Sequence, residues 1–246
     1  LQWNVDAINP VIESGRRNIE NIKKKLPVVD LTFITTADKK LYTPFEPQKH
    51  KIAYIPNPVD KSIETARVFE NPSPQYDIFF ASSPQAQRDI GKKLLTAGEI
   101  ADMLQQNLPH AKLMFPRLNA PSADGIAYLE LLSKSAMVLN LSRLAEDYLY
   151  SSDRMAHAMG NGCLTFIDRR TGFLDIFKED EAAFYDDEEE LLDKISFYLQ
   201  NPADRMGTAR KGWQKYHTLF NETKVAAYVL SLLDGSFNQK DYPFIK

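Results

Sequence analysis

Between Tyr76 and Tyr185, short apolar runs alternate with helix-patterned segments, and this alternation restricts the chain to a narrow set of folds. Residues 76–81, 112–115, 137–141, 163–167 and 182–185 read as strands. Between them, residues 85–107, 125–134, 151–160 and 172–177 read as helices, the last one short. Strands separated by crossover helices pair in parallel, so the pattern predicts an α/β fold built on a Rossmann-like parallel sheet. Upstream, residues 1–6, 28–35 and 52–55 read as further strands, with a helix over 10–25 and a short one over 36–42. Pro56-Asn-Pro-Val-Asp60 follows as a stiff, extended stretch. Residues 188–200, 202–220 and 223–233 read as closing helices, and 235–246 as a tail that either packs back or frays.

Within this pattern the segment Arg154-Met-Ala-His-Ala-Met-Gly-Asn-Gly-Cys-Leu-Thr-Phe166 is the richest in chemistry. A helix of small and apolar residues is stopped by Gly162 and runs straight into a buried strand. Ala156, Ala158 and Gly160 let that helix approach a neighbour closely. In open parallel sheets, ligands bind outside the carboxyl ends of strands, where helix N-termini aim backbone N–H groups at anions. Arg154 lies in the first helical turn, where a cation opposes the macrodipole unless an anion arrives. Phosphate binding accounts for it; a structural pair with Asp153 or Asp175 is the competing account.

Bulk properties exclude several classes. The 246 residues carry 43% hydrophobic content, enough to bury an ordinary core in one or two domains. A formal net charge of −3 without any basic block argues against nucleic acid as the main partner. One cysteine, Cys163, cannot form an intrachain disulfide, which suits a cytoplasmic setting. No apolar run approaches the roughly 18 residues of a transmembrane helix, and peripheral contact with a membrane stays compatible with the sequence. His50, His110, His157 and His217 show no ligand spacing, so no metal site is expected. No Gly-x-Gly-x-x-Gly follows a strand, which ranks a dinucleotide enzyme last.

The 154–166 segment resembles the signature of group 1 glycosyltransferases with the GT-B fold, nearest to the spore-maturation-type branch. Arg154, Ala158 and Gly162 take the positions of that branch's Arg, Ala and Gly. The likeness continues through Gly172-Phe-Leu-Asp-Ile-Phe177, Ala183-Phe-Tyr-Asp186 and residues 190–202 to Arg210, Gly212 and Trp213, roughly the C-terminal two-thirds of the chain. His157 stands where the family usually has a glutamate expected to bond the donor ribose. Leu149 stands where related retaining enzymes often carry a second glutamate.

The resemblance implies Rossmann-like domains of the GT-B type. Residues 1–60 would be the C-terminal part of an N-terminal, acceptor-side domain, 61–234 a nucleotide-sugar-binding domain, and 235–246 a tail. It implies a metal-independent, hexosyltransferase-like enzyme of bacterial-type polysaccharide biosynthesis. The donor would be a nucleotide diphospho-sugar, used without a separate cofactor; the acceptor would be a glycan, lipopolysaccharide, lipid-linked or protein acceptor. Donor-binding candidates are Arg154, His157, Arg88, Ser82, Ser83, Arg143, Asp175 and Gly172, and no catalytic residue is assigned. Ser82 and Ser83 would cap the helix over 85–107 or meet phosphate, with Arg88 reaching the same place. Arg143 is a strand-end cation or a solvated loop charge. Asp175 would face sugar hydroxyls, with Gly172 admitting a close backbone approach. The loss of both glutamates supports a rival from another class, a non-catalytic GT-B-like binding or assembly module.

Overall fold

The computed structural model describes residues 1–245. The described residues divide into two compact units: residues 1–58, 147–153 and 219–245 form the first, and residues 59–146 and 154–218 the second.

The first unit is built on a parallel sheet of β1 (Gln2–Asn4), β2 (Thr32–Ile34) and β3 (Ile52–Tyr54), in that order. Helix α1 (Glu13–Lys25) crosses between β1 and β2, with Glu13 in its first turn and Lys23, Lys24 and Lys25 in its last, matching both ends of the macrodipole. Its Ile19 and Ile22 pack with Ile8, Ile34, Phe45 and Ile52 into a core. The sequence places a helix start at Pro10, but α1 begins at Glu13. The expected long strand over 28–35 is also cut short. Pro27 sits in a single 3-10 turn, Leu26–Val28, which leaves Val28 84% exposed and delays the strand to Thr32. The short helix expected over 36–42 forms later, as the 3-10 segment Lys39–Phe45 capped by Asp38.

Segment 147–153 is tied to this unit by main-chain bonds. The Ala37 amide donates to the Tyr148 carbonyl at 2.9 Å and the Ser151 amide to the Thr35 carbonyl at 2.7 Å. Tyr228 donates its hydroxyl to the Tyr54 carbonyl at 2.9 Å. The tail packs back: Phe244 is fully buried, its ring 5.5 Å from both Phe220 and Tyr228. An apolar groove of about 510 Å³ on this unit is lined by Trp3, Phe33, Pro58, Val225, Ala226 and Val229, among others.

Asp147 is buried in the first unit and accepts from Asn9 Nδ2 at 2.6 Å. Burial pushes its carboxyl up to about 6, against the opposing Asn9 bond and with help from the nearby Asp38 charge. The folded pKa lies above the unfolded one, so this group costs stability progressively as pH rises from about 4 to about 6. Asp147→Asn keeps an acceptor for Asn9 and removes the charge. It is expected to stabilise the protein by about 1–3 kcal/mol at pH 7, with the gain gone below about pH 4. Urea unfolding at the two pH values measures this; an equal effect at both would contradict it.

The second unit is a five-stranded, all-parallel sheet. Its strands are β4 (Tyr76–Phe79), β7 (Leu113–Met114), β8 (Ser135–Leu139), β9 (Leu164–Asp168) and β10 (Ala183–Tyr185), in the spatial order β10-β9-β8-β4-β7. The chain therefore leaves β4 toward β7 on one side, then returns across it to β8 on the other. Alternate residues face opposite layers. Phe79, Met114 and Val138 pack with Leu132, Ala158 and Cys163, whereas Ile78, Phe80, Met137 and Phe166 join Ile100, Leu104, Leu191 and Ile195. The first layer holds α3 (Ile126–Ser133) and α4 (Asp153–Gly160); the second holds α2 (Ala97–Asn107), α5 (Glu188–Gln200) and part of α6 (Pro202–Leu219). Helix α7 (Glu222–Asp234), capped by Asn221 and stopped by Gly235, belongs to the first unit.

One element of the second unit corrects the sequence reading. Residues 85–107 do not form a single helix. Residues Gln87–Ile90 and Lys93–Thr96 form an antiparallel hairpin, β5 and β6, and α2 starts only at Ala97. Gly91 and Lys92 both take positive φ, 59° and 72°, as a two-residue hairpin turn demands. Thr96 and Glu99 then form a capping box that defines the true helix start.

Candidate functional site

Helix α4 ends in a Schellman motif. The Cys163 amide donates to the Ala158 carbonyl and the Gly162 amide to the Met159 carbonyl, with Gly162 in the left-handed region at φ 76°. This turn delivers the chain directly into β9. Asn161 clamps the turn to a neighbouring strand of chain: its Oδ1 accepts from the Ala66 amide and its carbonyl from the Val68 amide.

The other end of α4 reaches the carboxyl edge of the sheet. Arg154 donates Nε to the Ala81 carbonyl at 3.3 Å and Nη1 to the Leu141 carbonyl at 3.2 Å. Ala81 follows β4 and Leu141 follows β8, so the guanidinium bridges the ends of two adjacent strands. It also lies 5.6 Å over the Phe80 ring and stays half-buried. Counted within this sheet, the strand order is 2-1-3-4-5, and the gap between β4 and β8 is its topological switch point. In doubly wound sheets that gap opens a crevice where ligands bind. Arg154 stands at these strand ends, in the first turn of a helix whose positive end favours anions.

The other expected residues distribute around the same edge. Ser82 and Ser83 lie in the loop leaving β4, Ser82 Oγ donating to the Ser83 carbonyl at 3.3 Å. They cap no helix, since a hairpin follows them. Arg88 is likewise on β5 rather than on a helix. It is 8% exposed and donates Nη1 to the Gln87 carbonyl. Arg143 is exposed in the loop leaving β8. Gly172, at φ 77°, and the exposed Asp175 lie in the segment leaving β9. Leu149 is fully buried in the first unit, which leaves no polar group at the second glutamate position.

His157 lies one turn after Arg154 on α4. Its Nδ1 is 2.7 Å from Glu64 Oε1, and its ring makes an edge contact with Tyr128 at 5.8 Å. Glu64 escaped the sequence reading because it lies 93 positions away, with no local pattern to link the two. A second unforeseen group is the ionic knot of Asp89, Asp168 and Arg170. Arg170 makes paired bonds to both carboxylates, 2.8 and 3.1 Å to Asp89 and 2.6 and 3.0 Å to Asp168. The Asp89 amide donates to the Ser142 carbonyl at 2.9 Å. The knot fastens the hairpin to the ends of β8 and β9. Among the described residues, no group of three or more His, Cys, Asp and Glu side chains is arranged to hold a metal ion, and no helix is long and apolar enough to cross a membrane.

Residues 109–231, half of the chain, match the model of a family described as glycosyl transferase-like. No curated protein matches the chain significantly. Among solved structures, sucrose-phosphate synthase from Thermosynechococcus elongatus is similar with a TM-score of 0.56 and 15% identity, over 90% of this chain and 62% of that one. Anabaena HepE in complex with UDP and glucose is similar with a TM-score of 0.66 and 12% identity, over 95% and 71%. TarM gives a TM-score of 0.61 and 12% identity, over 92% and 48%. At these identities the likeness shows the fold, which is of the GT-B type. The chain spans 62% of the synthase's length.

Proposed function

Because the chain belongs to the glycosyl transferase-like family, we propose that it transfers a sugar from a nucleotide diphospho-sugar held in the crevice between β4 and β8. The observation that carries this reading is Arg154 bridging the carbonyls that follow those two strands. Transfer breaks the bond between the anomeric carbon and a diphosphate oxygen, so negative charge grows on the leaving group. A fixed guanidinium and the N–H groups of a helix start stabilise such charge without rearranging. In this reading Arg154 and the first turn of α4 meet the diphosphate, Ser82, Ser83 and Arg143 approach it from neighbouring loops, and His157 meets a ribose hydroxyl. Gly172 and Asp175 face the sugar. Arg88 acts through the hairpin rather than by direct reach.

The proposal includes metal-independent chemistry, a glycan, lipid-linked or protein acceptor, a cytoplasmic setting and a place near the spore-maturation branch, the last resting on the 154–166 signature. HepE is a structure with UDP, which makes UDP the first probe. Calorimetric titration of the protein with UDP, GDP and CMP is expected to show saturable binding of one of them, unchanged by a chelator. Binding of none would remove the donor site. The absence of both glutamates, replaced by His157 and the buried Leu149, favours one other reading, a non-catalytic binding module. Turnover of a sugar nucleotide would exclude that reading.

A further inference from the structure

We propose that Glu64 is a positioning residue for the donor site, holding His157 in the tautomer that presents Nε2 as a hydrogen-bond acceptor to a ligand hydroxyl. The inference rests on the reading that α4 faces a nucleotide-sugar.

Glu64 is 5% exposed, and both its oxygens are engaged. Oε2 accepts from the Asp60 amide at 2.8 Å, and Oε1 meets His157 Nδ1 at 2.7 Å. A carboxylate oxygen accepts at this contact, so Nδ1 carries the hydrogen, and in the Nδ1–H tautomer Nε2 has a lone pair. The helix is shaped for this partner. Gly160 lies one turn beyond His157, and a Cβ there would fall 2.7 Å from both Glu64 Cγ and Val59 Cγ1. The small residue in the signature thus makes room for the buried acid. The His157 side chain keeps 34% of its surface, while that of Glu64 keeps 3%. The ring is the exposed member of the pair and the carboxylate the enclosed one.

The chemistry follows. A glutamate at position 157 would offer acceptor oxygens to a hydroxyl directly. Here the negative charge sits one residue deeper and acts through the imidazole, which exposes a single acceptor atom. The pair would recognise a hydroxyl donor, such as a ribose or sugar ring carries.

Glu64→Gln inverts the arrangement. The Asp60 amide still needs an acceptor, so the Gln oxygen faces it and the Gln NH₂ faces Nδ1. Nδ1 must then accept, and Nε2 becomes the donor. Histidine ¹⁵N–¹H correlation spectra of the wild type are expected to show the Nδ1–H tautomer, with the Nε2 signal of His157 shifting on UDP addition. The E64Q spectra are expected to show the Nε2–H tautomer, with UDP binding weaker by roughly tenfold. The double variant E64Q/H157E, in which one carboxylate oxygen meets the Gln NH₂ and the other faces the ligand, is expected to recover most of that loss. An unchanged tautomer and unchanged UDP affinity in E64Q would overturn the proposal. So would a His157 signal indifferent to UDP while other residues respond. If no signal in the wild type responds to UDP, the donor-site reading fails and takes the ligand part of this proposal with it. The tautomer comparison alone then decides whether Glu64 sets the ring.

Discussion

Arg154→Ala is expected to weaken UDP binding by roughly ten- to a hundredfold, the worth of one charge-assisted interaction with a phosphate in a half-buried site. The fold should survive the change. The Ala81 and Leu141 carbonyls that the guanidinium now engages lie at strand ends, and the Arg154 side chain is partly exposed. Losing two such bonds costs about 1–2 kcal/mol. Removing a cation from the first turn of α4 also relieves an unfavourable dipole interaction of about 0.3–1 kcal/mol, which offsets part of it. Stability and affinity therefore separate in this variant. Arg154→Lys tests geometry against charge: a point charge cannot span both carbonyls and still aim at a phosphate, so its affinity should fall between the two. Calorimetry with UDP at two salt concentrations measures the effect. An Ala variant that binds within twofold of the wild type would dissociate Arg154 from the diphosphate.

Gly162→Ala is expected to be a strongly damaging single-methyl change in the second unit. Two costs coincide at this position. Its φ of 76° penalises any Cβ by about 1–2 kcal/mol. The added atom would also sit 2.5 Å from Cδ1 and 2.8 Å from Cε1 of Phe69, a buried ring packed against Trp213 at 5.5 Å. Overpacking of this kind costs about 1–3 kcal/mol. The sum, about 2–5 kcal/mol, is a large share of a typical domain's stability. Gly235→Ala is the matched control: its φ is 77°, but nothing lies within 4 Å of the added atom. It should show the conformational cost alone. Thermal unfolding of the two variants isolates the close approach, and equal shifts would refute it.

Part of the candidate site's local structure was legible because it is made of local signals. Gly162 as a helix stop and Arg154 at a helix start follow from residues within a turn of one another. The hairpin of β5 and β6 was also written locally, in Gly91-Lys92 and in Thr96 with Glu99, but a long apolar and polar mixture over 85–107 imitated a helix. That misreading put Arg88 on a helix when it lies buried in a strand. Glu64 carried no such signal.

What the sequence by itself determined is the main alternation of strands and helices, the parallel sheets, and the Gly162 stop of α4. These depend on burial period, backbone conformational preference and hydrogen bonds that close within a few residues. Only the tertiary structure decided that the chain returns from β7 past β4 to lay β8 on its other side, which sets the strand ends that Arg154 bridges. It alone joined Glu64 to His157 across 93 positions and Asp89 to Arg170 across 81. Strand order and buried ionic partners are settled by which distant surfaces fill one another's volume and satisfy one another's charges. Spacing along the chain does not encode that.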